Sequence, residues 1–360
     1  MLYFALLVLC IIAYEITKGK PKKQKMYALL FLFFLMLLVG VRDPSVGVDS
    51  ERYAEKLTFV RDLTFESYEP LFQLSINFVN ATWGTVLAWF LYLSFLAYFL
   101  YALAILKYSL NPMLSVLIFM VSFIHLFPDT MNNLRQGIAI MLLQLSYLTA
   151  ANRKFWLCVP LFIIAAGFHM SSFFALPFFF ISFYNLSKSS IVSCLITSFT
   201  IGLVFSEFLD LGPIMSQLSF TSEVFMEGLD KFSGYTEGKR VLNLFGYLSV
   251  MAPLNVLCYL LIPTDSDDKS YKYLFNFYFW GIIIGNLIAG TISYGSRYMV
   301  TFLVVESVLF AYKYKKVKAL KPFLFIMILL YCIYLIEIAN KPEEGMIIPY
   351  KINPELFRIL

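Results

Sequence analysis

Runs of apolar residues, each about 18–20 long and separated by short polar breaks, constrain this chain more than any other feature. Such a run carries too little polarity to sit at a water-facing surface, and it is long enough as a helix to cross the hydrocarbon core of a bilayer. Of the 360 residues, 60% are hydrophobic and only 14% are charged, with a mean hydropathy of +0.76. A soluble core cannot absorb that much apolar surface. A transmembrane barrel would alternate apolar and polar residues, and no such alternation runs through the sequence. The expected fold class is therefore an all-α polytopic integral membrane protein of about 12 transmembrane helices, read as one domain over 1–360. The spans fall near 1–17, 26–42, 84–106, 112–127, 134–151, 155–168, 171–187, 189–209, 241–262, 273–292, 297–312 and 322–339. Residues 1–16 lack a charged start and a small-residue cleavage site, so they read as the first span rather than a signal peptide. Residues 69–83 read as a helix lying in the outer interface.

Charge placement gives the orientation. Lys18, Lys20, Lys22, Lys23 and Lys25 cluster after the first span, and Lys313, Lys315, Lys316, Lys318 and Lys321 cluster before the last. Both clusters belong on the cytoplasmic side by the positive-inside rule. The arginines sort the other way. Arg42, Arg52, Arg61, Arg135, Arg240, Arg297 and Arg358 all fall outside, and only Arg153 falls inside. A guanidinium is a planar fork that grips phosphate or carboxylate at two points, so an arginine-rich outer face suggests anion binding. For Arg52 and Arg61, flanked by Glu51, Glu55 and Asp62, simple pairing with those acids is the better reading. The net charge of +5 follows this topology and carries no argument for nucleic acid. Outer loops are expected at 43–70 and 210–240, with an outer C-terminal tail at 341–360. Together they would make a polar periplasmic face.

The polar residues gather at the outer mouths of the spans. Arg42 stands with Asp49 and Tyr53 after the second span. Arg135 and Gln136 open a helix behind a polar stretch that includes Asp129, Asn132 and Asn133, and backbone N–H groups at a helix start favour anions. His169 lies between Gly167-Phe168 and Ser171-Ser172, at a break between two short spans. Arg297 and Tyr298 follow Ser296. Any one arginine of this kind could simply snorkel toward lipid head groups, and a lone histidine is often a packing residue. Several such groups on one face strengthen the functional reading. Cys10, Cys158, Cys194, Cys258 and Cys332 all lie inside apolar runs and read as small core residues. The sequence carries no phosphate-cradling Gly-rich loop and no Ser-centred nucleophile elbow. Neither a metal nor a cofactor is expected. The chemistry should act on a substrate that brings its own leaving group.

The ordered set of motifs resembles the EpsG family of Wzy-like bacterial surface-polysaccharide polymerases. The set runs Arg42-x4-Gly47-x-Asp49-x3-Tyr53, Glu69-Pro70-Leu71-Phe72, Asn133-Leu134-Arg135-Gln136-Gly137, Gly167-Phe168-His169-x-Ser171-Ser172, Ser296-Arg297-Tyr298 and Pro349-Tyr350-Lys351. The resemblance implies an inner-membrane glycosyltransferase that joins undecaprenyl-diphosphate-linked oligosaccharide repeat units on the periplasmic side. It implies a catalytic base drawn from His169, Asp49 and Glu69. It also implies substrate contacts from Arg42, Tyr53, Arg135, Gln136, Arg297 and Tyr298. The implied partners are the lipid-linked sugars and the bilayer, with a chain-length regulator and a flippase as further candidates. Two other functions remain open on the residues alone: a flippase or transporter of the same lipids, and a membrane O-acetyltransferase of surface sugars.

Overall fold

In the computed structural model, residues 1–47, 49–59, 69–123, 126–184, 186–208, 244–289, 295–340 and 347–359 are described. They are helical almost throughout. No β-strand occurs among them, and the one strand-like feature is an isolated antiparallel bridge between Arg42 and Ile352. The chain is an all-α polytopic membrane protein. Among the described residues, three helices are each long and apolar enough to cross a bilayer: α2 (Pro21–Gly40), α5 (Val86–Tyr108) and the late helix Leu320–Asn340. Shorter apolar helices accompany them, among them Leu2–Thr17 and Phe155–Phe168. The chain divides into two compact units, Met1–Leu176 with Val304–Leu360, and Pro177–Leu303.

The first unit begins with α1 (Leu2–Thr17) and α2. It continues through α3 (Ser50–Phe59), α4 (Pro70–Thr82) and α5 to α6 (Pro112–Val121), α7 (Leu126–Asn132), α8 (Leu134–Ala151) and α9 (Phe155–Phe168). Local sequence sets these starts. Prolines at the first helical turn open α2, α4 and α6, where a missing N–H costs nothing. Thr85 and Asn111 accept the N–H of Ala88 and Leu114, capping α5 and α6. Two helices form the buried centre. Every residue of α6 is buried, and α8 is buried at every position except Arg135. Because lipid tails are as apolar as leucine, contacts between helices here lean on close packing and polar bonds. Gln144 Nε2 donates to Val304 O at 2.9 Å, Ser146 Oγ to Cys158 O at 2.9 Å and Ser115 Oγ to Ser307 O at 2.9 Å.

The second unit holds α10 (Leu176–Ile181, from Pro177 on), α11 (Lys188–Phe208), α12 (Leu244–Leu260), α13 (Lys269–Ile288) and α14 (Gly295–Leu303). Helix α13 is its hub, packing on α11, α12 and α14. Asn286 and Asn255 exchange amide hydrogen bonds at 2.7 and 3.0 Å, and Asn286 Nδ2 also donates to Ser198 Oγ at 2.8 Å. These bonds tie three helices together inside an apolar setting.

Three of the expected spans are not continuous helices. The run at 112–127 becomes α6 and α7, bent by 81° at a break that follows Val121. The run at 171–187 becomes a 3₁₀ helix (Met170–Ala175) followed by α10. At roughly 1.5–2 Å per residue the two reach about 20 Å, short of the ~30 Å hydrocarbon core. The run at 297–312 breaks at Val304-Val305, between α14 and the helix Glu306–Lys313. Residues 210–240 lie outside the described residues.

Candidate functional site

The site is assembled at the end of the first unit where α2 stops and α3, α4, α5 and α8 begin. Glu69 occupies the position before α4, and Pro70 starts the helix behind it. His169 ends α9 in an extended conformation, and the 3₁₀ turn follows at once, with Ser172 N donating to His169 O at 3.0 Å. Gly167 lets α4 and α9 approach: a Cβ there would stand 2.7 Å from Leu71 Cδ1. That contact, two residues from each partner, brings Glu69 to His169.

Glu69 is the centre of the arrangement. Its Oε2 accepts from the Arg135 guanidinium at 2.7 Å, and its Oε1 is 3.0 Å from His169 Nδ1 and accepts from Met170 N at 3.2 Å. Arg135 Nε donates to Tyr53 OH at 3.3 Å. The guanidinium also lies over the rings of Tyr53 and Phe72, at 5.8 and 5.7 Å. Both rings pack on Trp89, which is wholly buried. The result is an aromatic floor that holds the arginine by cation–π attraction. The Arg135 and His169 side chains are each 25% exposed and that of Glu69 is 14% exposed, so the group is sheltered but open.

The electrostatics follow from this geometry. Burial by itself would raise the Glu69 carboxyl. The hydrogen bond to His169 and the charge of Arg135 outweigh it and hold the group down to about 2. An ionised carboxylate only accepts, so the proton between Glu69 and His169 belongs to His169 Nδ1. In the neutral ring this leaves the lone pair on Nε2. A carboxylate held so low is a weak proton acceptor. Glu69 is therefore placed to orient His169 and Arg135 rather than to take a proton itself.

Of the residues singled out in the sequence, Tyr53, Glu69, Arg135 and His169 come together. Gln136 is buried next to Arg135 on α8. Asp49 precedes α3, and its backbone carbonyl accepts from Tyr53 N at 3.1 Å. Among the described residues no hydrogen bond joins its carboxylate to Glu69, Arg135 or His169. Arg297 has a side chain outside the described residues, and Tyr298 lies half-buried on α14 in the second unit. Arg42 has a different place from the substrate contact expected of it. It is fully buried, and its guanidinium donates to Val39 O, to Val46 O at 3.0 Å, to Ser50 Oγ at 3.0 Å and to Met131 O at 2.8 Å. Arginine at the end of an apolar run signalled an anion ligand, but four of its five N–H donors are given to backbone and hydroxyl oxygens. Sequence reasoning missed the Phe72 and Trp89 floor. Phe72 stood inside the Glu69-Pro70-Leu71-Phe72 motif, whereas Trp89 sits in an apolar run with no local signal.

The fold and this site define a multi-pass membrane protein carrying a Glu–His–Arg cluster at one end of its helices. A family model described as the EpsG family matches residues 25–352, and the chain belongs to that family. It is thereby a protein of polysaccharide biosynthesis. Neither the curated proteins nor the solved structures offer a significant match.

Proposed function

We propose that the protein is a periplasm-facing glycosyltransferase that polymerises undecaprenyl-diphosphate-linked oligosaccharide repeat units. The observation that carries this reading is the single carboxylate of Glu69 shared between a cation and an imidazole. His169 Nε2 takes the proton of the acceptor sugar hydroxyl as that oxygen attacks the anomeric carbon of the donor. The bond between that carbon and the diphosphate oxygen breaks, and the lipid diphosphate leaves with the electron pair. Glu69 keeps the imidazole in the tautomer this requires, a role in which a carboxylate never becomes protonated. Arg135 faces the departing diphosphate with its plane fixed by Glu69, Tyr53 and the aromatic floor, and meets developing negative charge without reorganising.

The remaining assignments rest on the family resemblance. By that resemblance alone, Arg297 and Tyr298 on the second unit are expected to contact the diphosphate or sugar of the substrate. The same resemblance keeps Asp49 as an alternative base and Gln136 as a substrate contact. Beside the cluster lies a hollow of about 510 Å³ walled by Leu71, Leu74, Phe78, Tyr92, Ile164 and Phe168. Two of its lining residues, Leu71 and Phe168, lie two positions from Glu69 and one from His169 in the chain, and it offers the lipid tail an apolar seat. The lysine-rich loops support a cytoplasmic placement of the opposite end, which puts the cluster on the periplasmic side of an inner membrane.

His169→Gln tests the base role, because glutamine keeps a hydrogen-bonding side chain but cannot take a proton at neutral pH. The variant should insert at normal levels and bind the lipid-linked donor, while transfer falls by about 10²–10⁴-fold. Full polymerisation by His169→Gln would remove the base role.

A further inference from the structure

The C-terminal segment returns from the far end of the sequence and is bonded at several points to α1, to the end of α2 and to the start of α5. Asp43 N donates to Lys351 O at 2.9 Å, and Asn353 N donates to Val41 O at 2.8 Å, so the backbone of Arg42 is clasped on both sides. Tyr350 OH donates to Leu38 O at 2.7 Å, and Tyr3 OH donates to Ile347 O at 2.8 Å. Glu355 Oε2 accepts from Leu87 N at 3.0 Å, at the first turn of α5, where a carboxylate complements both the open N–H groups and the helix dipole.

Two of these contacts, the clasp on Arg42 and the Glu355 cap, lead toward the Glu69 cluster. Arg42, held from outside by the tail, reaches inward to Ser50 Oγ at the start of α3 and to Met131 O just before α8. Three residues beyond Ser50 stands Tyr53, and four beyond Met131 stands Arg135, the two that bond at 3.3 Å. Between Arg42 and Ser50 the chain turns at Gly47, whose φ of +105° suits only glycine. A Cβ there would also lie 2.7 Å from Ser50 Oγ and 3.1 Å from Met131 O. Glu355 acts along a second line. It caps α5 at Leu87, two residues before Trp89, the ring beneath Tyr53 and Phe72.

We infer that residues 347–355 form a strap that positions the Tyr53–Arg135 pair, working through Arg42, and that Glu355 is the latch fastening it to α5. In this assignment Arg42 and Glu355 are positioning residues: neither touches substrate, and both act by fixing where Arg135 points. The inference rests on the proposed use of Arg135, but the strap's mechanical link to α3 and α5 can be read without any activity.

The test uses the full-length protein in nanodiscs with Glu355→Ala, Tyr53→Phe and the double variant. Amide hydrogen exchange reports on α5 near Leu87 and on α3. Polymer formation from a lipid-linked repeat unit reports on transfer. Loss of a cap corresponds to about a fivefold faster local opening, so exchange at the first turn of α5 and across α3 should rise by roughly that factor in Glu355→Ala. Transfer should fall by a similar factor, with kcat reduced more than KM changes. In the Tyr53→Phe background Glu355→Ala should lower transfer by less than it does in the wild type, because both lines end on the Tyr53–Arg135 pair. Unchanged exchange in α3 would overturn the strap, and so would fully multiplicative effects of the two substitutions on transfer. If the wild type transfers nothing while exchange responds as described, the strap stands and the polymerase reading is what fails. Should Glu355→Ala insert poorly, Glu355→Gln, which keeps an acceptor oxygen and drops the charge, gives the same comparison at smaller amplitude.

Discussion

Replacing Glu69 by glutamine tests the cluster at its centre. The carboxylate meets Arg135 through one oxygen and His169 with Met170 N through the other. An amide of the same shape must turn an NH₂ group toward one of these donor sets. Either Arg135 loses its acceptor or His169 loses the group that fixes its tautomer. The held-down carboxyl, from the ordinary 4.5 to about 2, corresponds to roughly 3 kcal/mol of preference for the charged form at 1.36 kcal/mol per unit. Discounting for solvent at the partly exposed partners leaves roughly 2 kcal/mol. The sign follows from the depression. The contribution is fully present above pH 4.5 and is lost as pH falls toward 2. Glu69→Gln should therefore lower the thermal midpoint of the detergent-solubilised protein by a few degrees at pH 7, and the gap should close as the pH is taken toward 2. Transfer, assayed as the polymer ladder formed from a lipid-linked repeat unit by equal amounts of inserted protein, should fall by about 10² or more. A Glu69→Gln protein within tenfold of wild type would refute the argument, as would a stability gap that does not change with pH.

Other expectations follow from the same geometry. Arg135→Lys keeps the charge but cannot hold Glu69 and Tyr53 from one planar fork, and transfer should drop at least tenfold with insertion unchanged. Near-normal ladders from that variant would show that charge alone suffices. Gly167→Ala puts a methyl 2.7 Å from Leu71; pushing α4 off α9 should cost about 1–3 kcal/mol and part Glu69 from His169, seen as a lowered thermal midpoint together with lost transfer. For orientation, a cysteine at the exposed Trp83 should react with an impermeant maleimide from the periplasm, and one at Lys20 should not; the reverse pattern would turn the protein over in the membrane.

The helices were legible in the sequence because apolar runs with proline, threonine and asparagine starts leave few alternatives. The broken spans were less so. A run such as 112–127 is apolar enough to cross, and only the packing of α6 against its neighbours, followed by the polar turn of α7, decides where it bends. At the site, Glu69, His169, Arg135 and Tyr53 could each be picked out singly, as polar residues where polarity is expensive. Their pairing could not, because it spans up to 116 positions from Tyr53 to His169 and depends on how closely Gly167 lets α4 pack. Arg42 shows the limit most clearly. Charge at a helix mouth looks the same in sequence whether the donors point to a ligand or to Met131 O and Ser50 Oγ.

The most direct test of the central claim is the stoichiometry of transfer by the purified protein alone. Reconstituted in liposomes with a synthetic undecaprenyl-diphosphate-linked repeat unit, it should form a ladder of longer lipid-linked chains. It should release one undecaprenyl diphosphate for every glycosidic bond made, with both signals lost together in His169→Gln. Wild-type protein that leaves the repeat unit at its original length, or moves it across the bilayer without releasing diphosphate, would contradict the account.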